Sequence, residues 1–566
     1  MLHAVGPLLS IDLTTREWTI ESIDDTLAAF VGGRGVGTKL AHARIPFDVD
    51  PLGPENRVFF TTGPMQVSTM SFTGRTNATT VSPLTGGLLS SNAGGFMSRH
   101  VADTGYGAIE LKGASDELVA VHVSEELVES HSSGSETTSR PRVEFEPVPG
   151  LEGATVPETC AALEERRGLS ADHVACIGPA GENCVRFASL MTTEERAFGR
   201  GGVGAVFGAK NVKAITFEGN SRPEIEIPAE AMAIHREAAT DDHVMKRQGT
   251  VAVMDLANEI DGLPSYYFSE RSFDGVEGIN GAAVEEKKYR KGTCSACAFA
   301  CKLPTRDEDA GVETEGPEFE TAMAFGSNAG IDDVVDVMRA NELCDRYGLD
   351  TISTGNTISA YLASEGAFGD EELVLELVEQ IAHREGIGDL LAEGIDRVHD
   401  EFGVENWSVK GMDFAAHEGR ALHGQGLSYA VANRGADHMY ATFYSVEYPL
   451  VPAAEALEPT GTLGKAERLI ERENLMAIND AGIVCKFSRD YLIPERYETL
   501  FDADYEELLA VGGRIVELER HFNNRRGFDR TDDRLPYDLP DFEAALEEYY
   551  EARGWNADGT VGALDG

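Results

Sequence analysis

Hydrophobic and polar positions follow two different patterns along the chain. Up to about residue 212, short apolar runs stand between turns rich in Gly and Pro, which is typical of strands. From about residue 213, apolar positions recur at helical spacing in segments rich in Glu and Ala. The predicted strands lie at 8–13, 58–62 and 108–111. The predicted helices lie at 229–259, 331–347, 370–400, 465–481 and 503–521. The pattern therefore predicts a β-rich N-terminal part and a mostly helical remainder.

One polar stretch interrupts the β-rich part. Residues 124–148 carry His-Ser-Ser-Gly-Ser-Glu-Thr-Thr-Ser at their centre. Such a composition offers little to a packed core, so we expect an exposed, flexible loop. The total length of 566 residues predicts two to four domains, and no internal repeat is visible.

The charge of the chain excludes several classes of partner. There are 97 acidic and 48 basic residues, and the formal net charge is −49. Lys is scarce, and the acid is spread along the whole chain, which indicates adaptation to high salt. Nucleic acid and anionic membranes are therefore not expected as partners. No apolar run reaches the ~18–20 residues of a membrane span, and the N-terminus lacks signal-peptide features. We expect a soluble, cytoplasmic protein.

Four cysteines are candidates for a metal site. Cys294, Cys297 and Cys301 have C-x2-C-x3-C spacing, and Cys485 stands far downstream. Four thiolates can hold a [4Fe-4S] cluster. Structural zinc is an alternative, although the usual second half-site is missing, and disulfides suit such a chain poorly. The remaining cysteines are expected in the core, at Cys160, Cys176, Cys184 and Cys344.

Two further patterns leave alternatives open. Runs of Gly with Arg at 32–37, 74–95 and 178–204 either form turns or bring backbone N–H groups close to a large anionic cofactor. Segments 345–351 and 480–486 each place an Asp near a predicted helix end, followed by a short turn that could hold the polar edge of a heterocycle. An ordinary capping or surface Asp is the alternative. The second segment contains Cys485, which would place a cofactor against the cluster.

These motifs together resemble one known family. Further matching runs are Gly-Arg-Thr-Asn at 74–77, Ser-Pro-Leu-Thr-Gly-Gly at 82–87, Ala-Cys-Ile-Gly-Pro-Ala-Gly-Glu-Asn at 175–183, Gly-Arg-Gly-Gly-Val-Gly-Ala-Val at 199–206, Pro-Glu-Phe-Glu at 317–320 and Phe-Asn-Asn-Arg-Arg-Gly-Phe at 522–528. In this order they resemble the tungsten- or molybdenum-dependent aldehyde ferredoxin oxidoreductases, in a halophilic, archaeal-type form. The resemblance runs nearly end to end.

The resemblance implies an α+β fold of three domains. Residues 1–212 would form a β-rich base that carries a bis-pterin tungsten or molybdenum cofactor. Residues 213–418 would be a helical domain with three cluster cysteines, and residues 419–566 a helical domain with the fourth. The metal would be bound by pterin sulfurs, so no protein ligand to it is expected.

The resemblance also implies the binding residues. Arg75, Arg186, Asp345, Asp480 and Val484 would contact the pterins, and Arg75 would also lie near the cluster. The pterin phosphates would be lined by Asn92, Ala93, Gly94 and Gly95. Asn92 would also lie near a bridging Mg²⁺. The [4Fe-4S] cluster would be held by Cys294, Cys297, Cys301 and Cys485.

The implied reaction oxidises an aldehyde to a carboxylic acid and passes electrons singly through the cluster to ferredoxin. Glu320 and His438 are the candidates for proton transfer, because burial can move the pKa of either group toward neutrality. Glu318 competes with Glu320, since both lie in the same motif. A homodimer is the expected assembly.

Three features depart from the family pattern. Phe319 stands where some relatives have Tyr, and Ile483-Val484 replace a Gly-Leu pair. No Glu matches the interfacial iron site of some members, although His383 is nearby, so we expect no such iron. The competing hypotheses are a cluster-only electron-transfer protein, a subunit that reduces another substrate within a larger complex, and a zinc-stabilised binding protein.

Overall fold

In this computed structural model the described residues are 1–129, 137–448, 450 and 455–564. Within them, no helix is both long enough and apolar enough to cross a membrane. The centre of the predicted loop, residues 130–136, lies outside the described residues.

The N-terminal part contains two mixed sheets, each six-stranded within the described residues. The first has the strand order β2-β1-β6-β3-β4-β5 and the second β11-β10-β9-β12-β7-β8, with these bounds: β1 Leu8–Asp12, β2 Glu17–Glu21, β3 Val58–Thr61, β4 Arg75–Val81, β5 Leu88–Gly94, β6 Ala108–Lys112, β7 Val119–Glu129, β8 Thr137–Pro147, β9 Val174–Cys176, β10 Leu190–Thr192, β11 Arg196–Phe198 and β12 Val212–Phe217. The pairs β1–β6 and β7–β12 are parallel, and the others are antiparallel.

The three predicted strands are confirmed as β1, β3 and β6. The predicted loop at 124–148 is wrong in its described part, because β7 and β8 pair there as an antiparallel hairpin. The polar composition of this stretch did not indicate strands. They form because β7 pairs with the buried strand β12, and this pairing sets the register. The two sheets share one core, in which the ring of Phe60 packs edge-on against Phe198 and Phe217, both 5.7 Å away between centroids.

Helices flank the sheets and form most of the remaining chain. The N-terminal part contains α1 Asp24–Phe30, α2 Gly33–Arg44, α3 Met97–Asp103, α4 Val156–Arg167, α5 Pro179–Glu182 and α6 Val203–Ala209. The remainder contains α7 Glu230–Thr240, α8 Met245–Gln248, α9 Met254–Glu259, α10 Gly281–Lys287, α11 Phe319–Thr321, α12 Val334–Tyr347, α13 Thr351–Glu365, α14 Glu371–His383, α15 Gly388–Leu391, α16 Ile395–Phe402, α17 His423–Val431, α18 Tyr444–Glu447, α19 Ala466–Gly482, α20 Pro494–Phe501, α21 Tyr505–Arg525 and α22 Phe542–Arg553. Two short hairpins complete it, β13 Pro304–Asp307 with β14 Val312–Glu315 and β15 Ser408–Val409 with β16 Met412–Asp413.

The predicted helices are confirmed, with two subdivided. The segment 229–259 forms α7, α8 and α9, and 370–400 forms α14, α15 and α16. Left-handed backbone at Arg384 ends α14, and such backbone stops helical hydrogen bonding. The second sheet continues to Phe217, beyond the predicted boundary at residue 212. The division into 1–212, 213–418 and 419–566 stays a prediction.

A buried ion pair joins α2 to the C-terminal helices. The Nε and Nη2 groups of Arg34 donate to the two carboxylate oxygens of Glu519 on α21, at 2.7 Å each, and Arg34 Nη1 lies 3.4 Å from Asp480 on α19. The ring of Tyr440 lies 3.6 Å from the guanidinium carbon. Burial by itself would lower the pKa of Arg34, but Glu519, Tyr440 and Asp480 outweigh it and the pKa is raised. Arg34 is therefore held charged in the core.

Replacing Arg34 should destabilise the fold strongly. Arg34→Met leaves the Glu519 carboxylate buried without its bidentate partner, and breaking a buried ion pair in this way costs about 3–5 kcal/mol. Urea unfolding followed by circular dichroism measures the loss. Arg339→Met is the matched control, because Arg339 is half-exposed and pairs with Asp336 on the surface; that change should cost less than about 1 kcal/mol. Equal losses in the two variants would contradict the role given to Arg34.

Candidate active site

The four predicted cluster cysteines converge on one cavity. Three come from the loop 294–301, and Cys485 follows the end of α19. All four side chains line the same small cavity, together with Phe72, Gly74, Arg75, Thr293, Phe299, Ala300, Lys302 and Phe487. All four thiols are free. Residues about 190 positions apart in sequence are thus brought together by the fold.

Close backbone contacts hold the cysteine loop against the first sheet. The Ser295 N–H donates to Gly95 O at 3.0 Å, and the Cys485 N–H donates to Phe72 O at 2.7 Å. A Cβ added at Gly94 would lie 3.1 Å from the sulfur of Cys294. A Cβ at Gly74 would lie 2.7 Å from the Ser295 oxygen. Glycine is therefore required at position 74 for the loop to approach the strands, and a side chain at position 94 would crowd the Cys294 sulfur.

Positive side chains surround the cysteine cavity. Burial by itself would raise the pKa of the Cys294 thiol, but Lys302, Arg196 and Arg75 outweigh burial and lower it. Arg75 also lies 4.0 Å from the sulfur of Cys485. Burial raises the pKa of Cys301. Cations beside thiols favour the thiolate form that binds metals.

A second, larger cavity borders the cysteine cavity. It has a volume of about 700 Å³, and Arg75, Lys302 and Phe487 line both cavities. Two further arginines, Arg196 and Arg489, line the larger one. Four cations around one cavity are notable in a chain whose net charge is −49. The cavity is therefore suited to an anionic ligand.

Three titratable side chains meet in the wall of the larger cavity. Glu320 lies on α11, and its Oε1 is 3.3 Å from His438 Nε2 and 3.5 Å from His417 Nε2. Its Oε2 accepts a hydrogen bond from the Ala416 N–H at 2.7 Å. Glu320 Oε1 and the Nδ1 atoms of both histidines are buried and have no hydrogen-bond partner within the described residues. These three atoms are available to a ligand or to protons.

His417 is a site residue that the sequence did not reveal. Its ring stacks on Tyr444 with 3.6 Å between centroids, and it is buried. Burial lowers the pKa of His417 well below its ordinary value, and His438 and Arg489 lower it further. The imidazole is therefore neutral near pH 7. Its neighbours in sequence, Ala415-Ala416 and Glu418, form no recognisable motif.

The structure distinguishes the two carboxylates of the Pro-Glu-Phe-Glu motif. Glu318 Oε2 accepts a hydrogen bond from the Thr250 hydroxyl at 2.5 Å, and the same hydroxyl accepts from the Phe319 N–H at 2.8 Å. Glu318 also lines the larger cavity. Glu320 alone lies against the histidines. This contact favours Glu320 for proton transfer.

Several predicted cofactor residues meet beside Cys485. Arg75 donates to Asn92 O at 2.7 Å, and the Asn92 side chain donates to Asp480 at 2.8 Å. Val484 is buried in the turn that follows α19. Asn92, Ala93 and Gly94 end β5, and Gly95 follows with positive φ.

Asp345 and Arg186 form their hydrogen bonds with residues outside this group. Asp345, near the end of α12, accepts from the Asn341 amide at 3.1 Å, and burial raises its pKa to about 8 although Arg196 opposes this. Arg186 pairs with Glu393 and donates to Pro83 O at 3.2 Å.

The glycine run at 32–37 lines neither cavity and forms the start of α2 instead. A Cβ at Gly33 would lie 2.1 Å from Asp480 O and one at Gly37 would lie 2.2 Å from the Thr79 hydroxyl, so these glycines serve helix packing.

Ile483 ends α19 with φ +61°, where the matching residue after α12, Gly348, has φ +74°. Ile483 therefore holds a strained left-handed conformation. Its buried side chain fills the space that Gly33 and Gly63 leave open.

The core predictions for the other cysteines are confirmed for Cys160, Cys176 and Cys344, which are buried. Cys184 is half-buried.

The residues at the two cavities fit the cofactor and cluster that the sequence predicts. The Asn92 Oδ1 is buried without a hydrogen-bond partner within the described residues, as a ligand to a cation would be. Gly94 leaves room between Cys294 and Arg75 that a side chain would fill. Four thiols and four cations supply the donor set that an iron–sulfur cluster and a phosphate-bearing cofactor require.

Comparison with known proteins identifies the family. Residues 8–219 match the description "Aldehyde ferredoxin oxidoreductase, N-terminal domain", and residues 228–563 match "Aldehyde ferredoxin oxidoreductase, domains 2 & 3". Together these matches cover nearly the whole chain. The chain belongs to the aldehyde ferredoxin oxidoreductase family, and its sheets and helices fit the α+β fold of that family.

Relatives named for two different activities resemble the chain over 98% of its length. The tungsten-containing aldehyde ferredoxin oxidoreductases of Thermococcus kodakarensis and Pyrococcus furiosus are each 33% identical, over 98% of this chain and 97% of theirs. An aliphatic sulfonate oxidoreductase, WOR-like subunit, of Pyrococcus furiosus is 27% identical over 98% of this chain and 95% of its own.

One solved structure shares the fold. It is the active site complex BamBC of benzoyl coenzyme A reductase in complex with 1,5-dienoyl-CoA, with a TM-score of 0.78 and 22% identity. The alignment covers 98% of this chain and 95% of that one.

Replacing Gly94 should impair iron loading. In Gly94→Ala the new methyl group lies 3.1 Å from the Cys294 sulfur, so the cysteine loop must shift. We expect the iron content per chain and the visible absorption of anaerobically purified protein to fall at least twofold. Gly150→Ala is the control, because its Cβ meets nothing within 4 Å. Full iron content in Gly94→Ala would contradict the expectation that the close contact between position 94 and the Cys294 sulfur limits iron loading.

Proposed function

We propose that the chain oxidises an aldehyde to the carboxylic acid at a bis-pterin tungsten (or molybdenum) centre and passes the electrons through a [4Fe-4S] cluster to ferredoxin. One observation carries this proposal. Glu320, His417 and His438 face a cavity that shares Arg75, Lys302 and Phe487 with the cavity of the four cysteines. Side chains that can transfer protons thus line a cavity that adjoins the proposed site of the electron-transferring cluster.

The residues that would hold the cofactors are those predicted from the family motifs. The pterins would be bound by Arg75, Asn92, Ala93, Gly94, Gly95, Arg186, Asp345, Asp480 and Val484, with Mg²⁺ at Asn92. Cys294, Cys297, Cys301 and Cys485 would hold the cluster. When bound, the metal centre supplies an acceptor for two electrons and polarises the carbonyl group. The protein supplies orientation, charge and proton transfer.

Glu320 is the proposed general base. The Ala416 N–H fixes the carboxylate through Oε2, which leaves Oε1 beside His417 and His438 without a hydrogen-bond partner within the described residues. There it can take a proton from water or from the hydrated aldehyde.

His438 can accept that proton in turn, because its Nε2 lies 3.3 Å from Glu320 Oε1. His417, neutral and stacked on Tyr444, limits the positions that the Glu320 carboxylate can occupy.

The apolar part of the wall selects the substrate and excludes water. Its apolar side chains are Val244, Met245, Ala252, Val253, Leu256, Phe319, Met439, Leu450 and Phe487. Phe319 is buried and offers no hydrogen-bond donor where some relatives have Tyr. We therefore propose an aldehyde whose chain or ring is apolar and packs against this part of the wall, since burying apolar groups there is favourable.

The proposal is tested by the metals and the reaction together. Anaerobically purified protein is expected to contain tungsten or molybdenum and four iron atoms per chain, and to reduce a viologen dye only when an aldehyde is added. Iron without tungsten or molybdenum would indicate a cluster-only electron-transfer protein. Full metal content without activity would indicate a different substrate or a missing partner subunit. The expected homodimer and cytoplasmic location stay predictions.

Substitutions at Glu320, His438 and Glu318 distinguish the roles of these three residues. Glu320→Gln and His438→Ala should each lower kcat by about 10²–10⁴-fold, the usual contribution of a general acid or base. Glu318→Gln is the matched control and should keep most activity, because Glu318 is bonded to Thr250. Metal and iron contents are measured in parallel. Full turnover in Glu320→Gln and His438→Ala at full metal content would rule out the proton-transfer assignment.

A further inference from the structure

The lysines of the chain are concentrated around the cysteine loop. The chain has only 12 lysines among 566 residues, and four of them lie within residues 287–302, namely Lys287, Lys288, Lys291 and Lys302. Arg290 lies in the same segment. An even distribution would place less than one lysine there. We call these five residues the basic rim.

Two members of the basic rim face the solvent. Lys291 is exposed, whereas the other 11 lysines are buried or half-buried. Arg290 is also exposed, and its Nε donates to the Tyr289 hydroxyl at 2.9 Å. Neither side chain forms an ion pair with a carboxylate in the part of the chain that the structure describes. In a protein with so large a negative charge, two adjacent exposed cations without carboxylate partners indicate a functional surface.

The other three members are held in place. Lys287 pairs with Asp307 at 2.7 Å, and the Lys288 ammonium donates to Lys246 O at 2.7 Å. Lys302 lines both cavities and lies 3.9 Å from a Glu315 oxygen. The hydrogen bond to Tyr289 raises the pKa of Arg290, and Glu195 and Glu313 are close enough to raise it further.

Backbone pairing places the exposed cations beside the cysteines. Lys288 pairs with Thr305 and Gly292 with Lys302, so that residues 288–292 run antiparallel to the chain that leaves the cysteine loop. Lys291 is three residues before Cys294, and consecutive Cα atoms are 3.8 Å apart, so their Cα atoms lie within about 11 Å. Between them, Thr293 is exposed at the edge of the cysteine cavity.

We propose that Arg290 and Lys291 form the docking surface for an acidic one-electron carrier protein, which receives electrons from the cysteine cavity. This inference rests on the proposed function. It commits to an acidic partner because the charge there is opposite to that of the chain as a whole. Oxidation of one aldehyde by water releases two protons and two electrons, so two oxidised carriers each take one electron in succession.

The electrostatics explain why such a surface is needed. A chain with a net charge of −49 repels an acidic carrier at long range. Opposite charges at the contact steer the encounter and fix its orientation. Pairs that become partly buried on contact are screened less by salt than exposed charges are. The basic rim therefore gives an acidic carrier a favourable place of approach close to the cysteines.

The test compares two electron acceptors. Lys291→Glu and the double variant Arg290→Glu/Lys291→Glu are assayed with a purified acidic ferredoxin and, separately, with benzyl viologen, a small cationic dye that needs no docking surface. For ferredoxin, kcat/KM should fall about tenfold in the double variant and less in the single one. Rates with the dye should not fall. Arg514→Glu is the control, because Arg514 is exposed and lines neither cavity.

A binding measurement makes the test independent of turnover. The Kd for oxidised ferredoxin, measured by isothermal titration calorimetry, should rise about tenfold in the double variant, and the difference from wild type should shrink as salt is raised. Unchanged ferredoxin kinetics and Kd would overturn the docking proposal. If self-association of the wild type were lost instead, the surface would bind a second copy of the chain, which would also overturn it. Absence of dye reduction in wild type would refute the proposed aldehyde oxidation. The docking proposal would then be tested by the calorimetric Kd, which does not depend on turnover.

Discussion

The carboxylate of Asp480 is the point on which the arrangement of the site depends. It accepts from Asn92 of β5 at 2.8 Å and from Lys486 at 2.7 Å, and it lies 3.4 Å from Arg34 of α2. Asp480, near the end of α19, thus contacts the first sheet, helix α2 and the turn that carries Cys485. Because these contacts are buried, they fix the fourth cysteine relative to the sheet more rigidly than surface contacts would.

The distribution of charge divides the molecule into an acidic exterior and a cationic interior around the two cavities. Acidic side chains on the surface are solvated by water and need no partners, but the interior cations must each meet a carboxylate, a carbonyl or a ligand. Arg34 meets Glu519, whereas Arg75 and Lys302 border both cavities. The net charge of −49 therefore describes the solvated surface and gives no guide to the site.

The sequence predicted the parts of the site that lie in ordered motifs. The four cysteines were predicted from their spacing, Glu320 and His438 were predicted from the resemblance of their motifs to the family, and the strands and most helices follow from periodicity. His417 could not be predicted, because its role arises from tertiary contact with Glu320 and Tyr444. The glycines at 32–37 were ambiguous, since close approach of a helix and close approach of a ligand require the same absence of a side chain. The β7–β8 hairpin was missed because strand pairing outweighed polar composition.

The cysteine cavity is assembled from three segments that are remote in sequence: the residues that lead into β4, the loop 294–301 and the turn after α19. None of these segments offers four sulfurs by itself. Brown colour in a preparation would therefore serve as an optical report that the N-terminal sheet and the C-terminal helices have come together. Variants that fold in only one part would remain colourless, which would let folding defects be separated from catalytic ones at the first chromatography step.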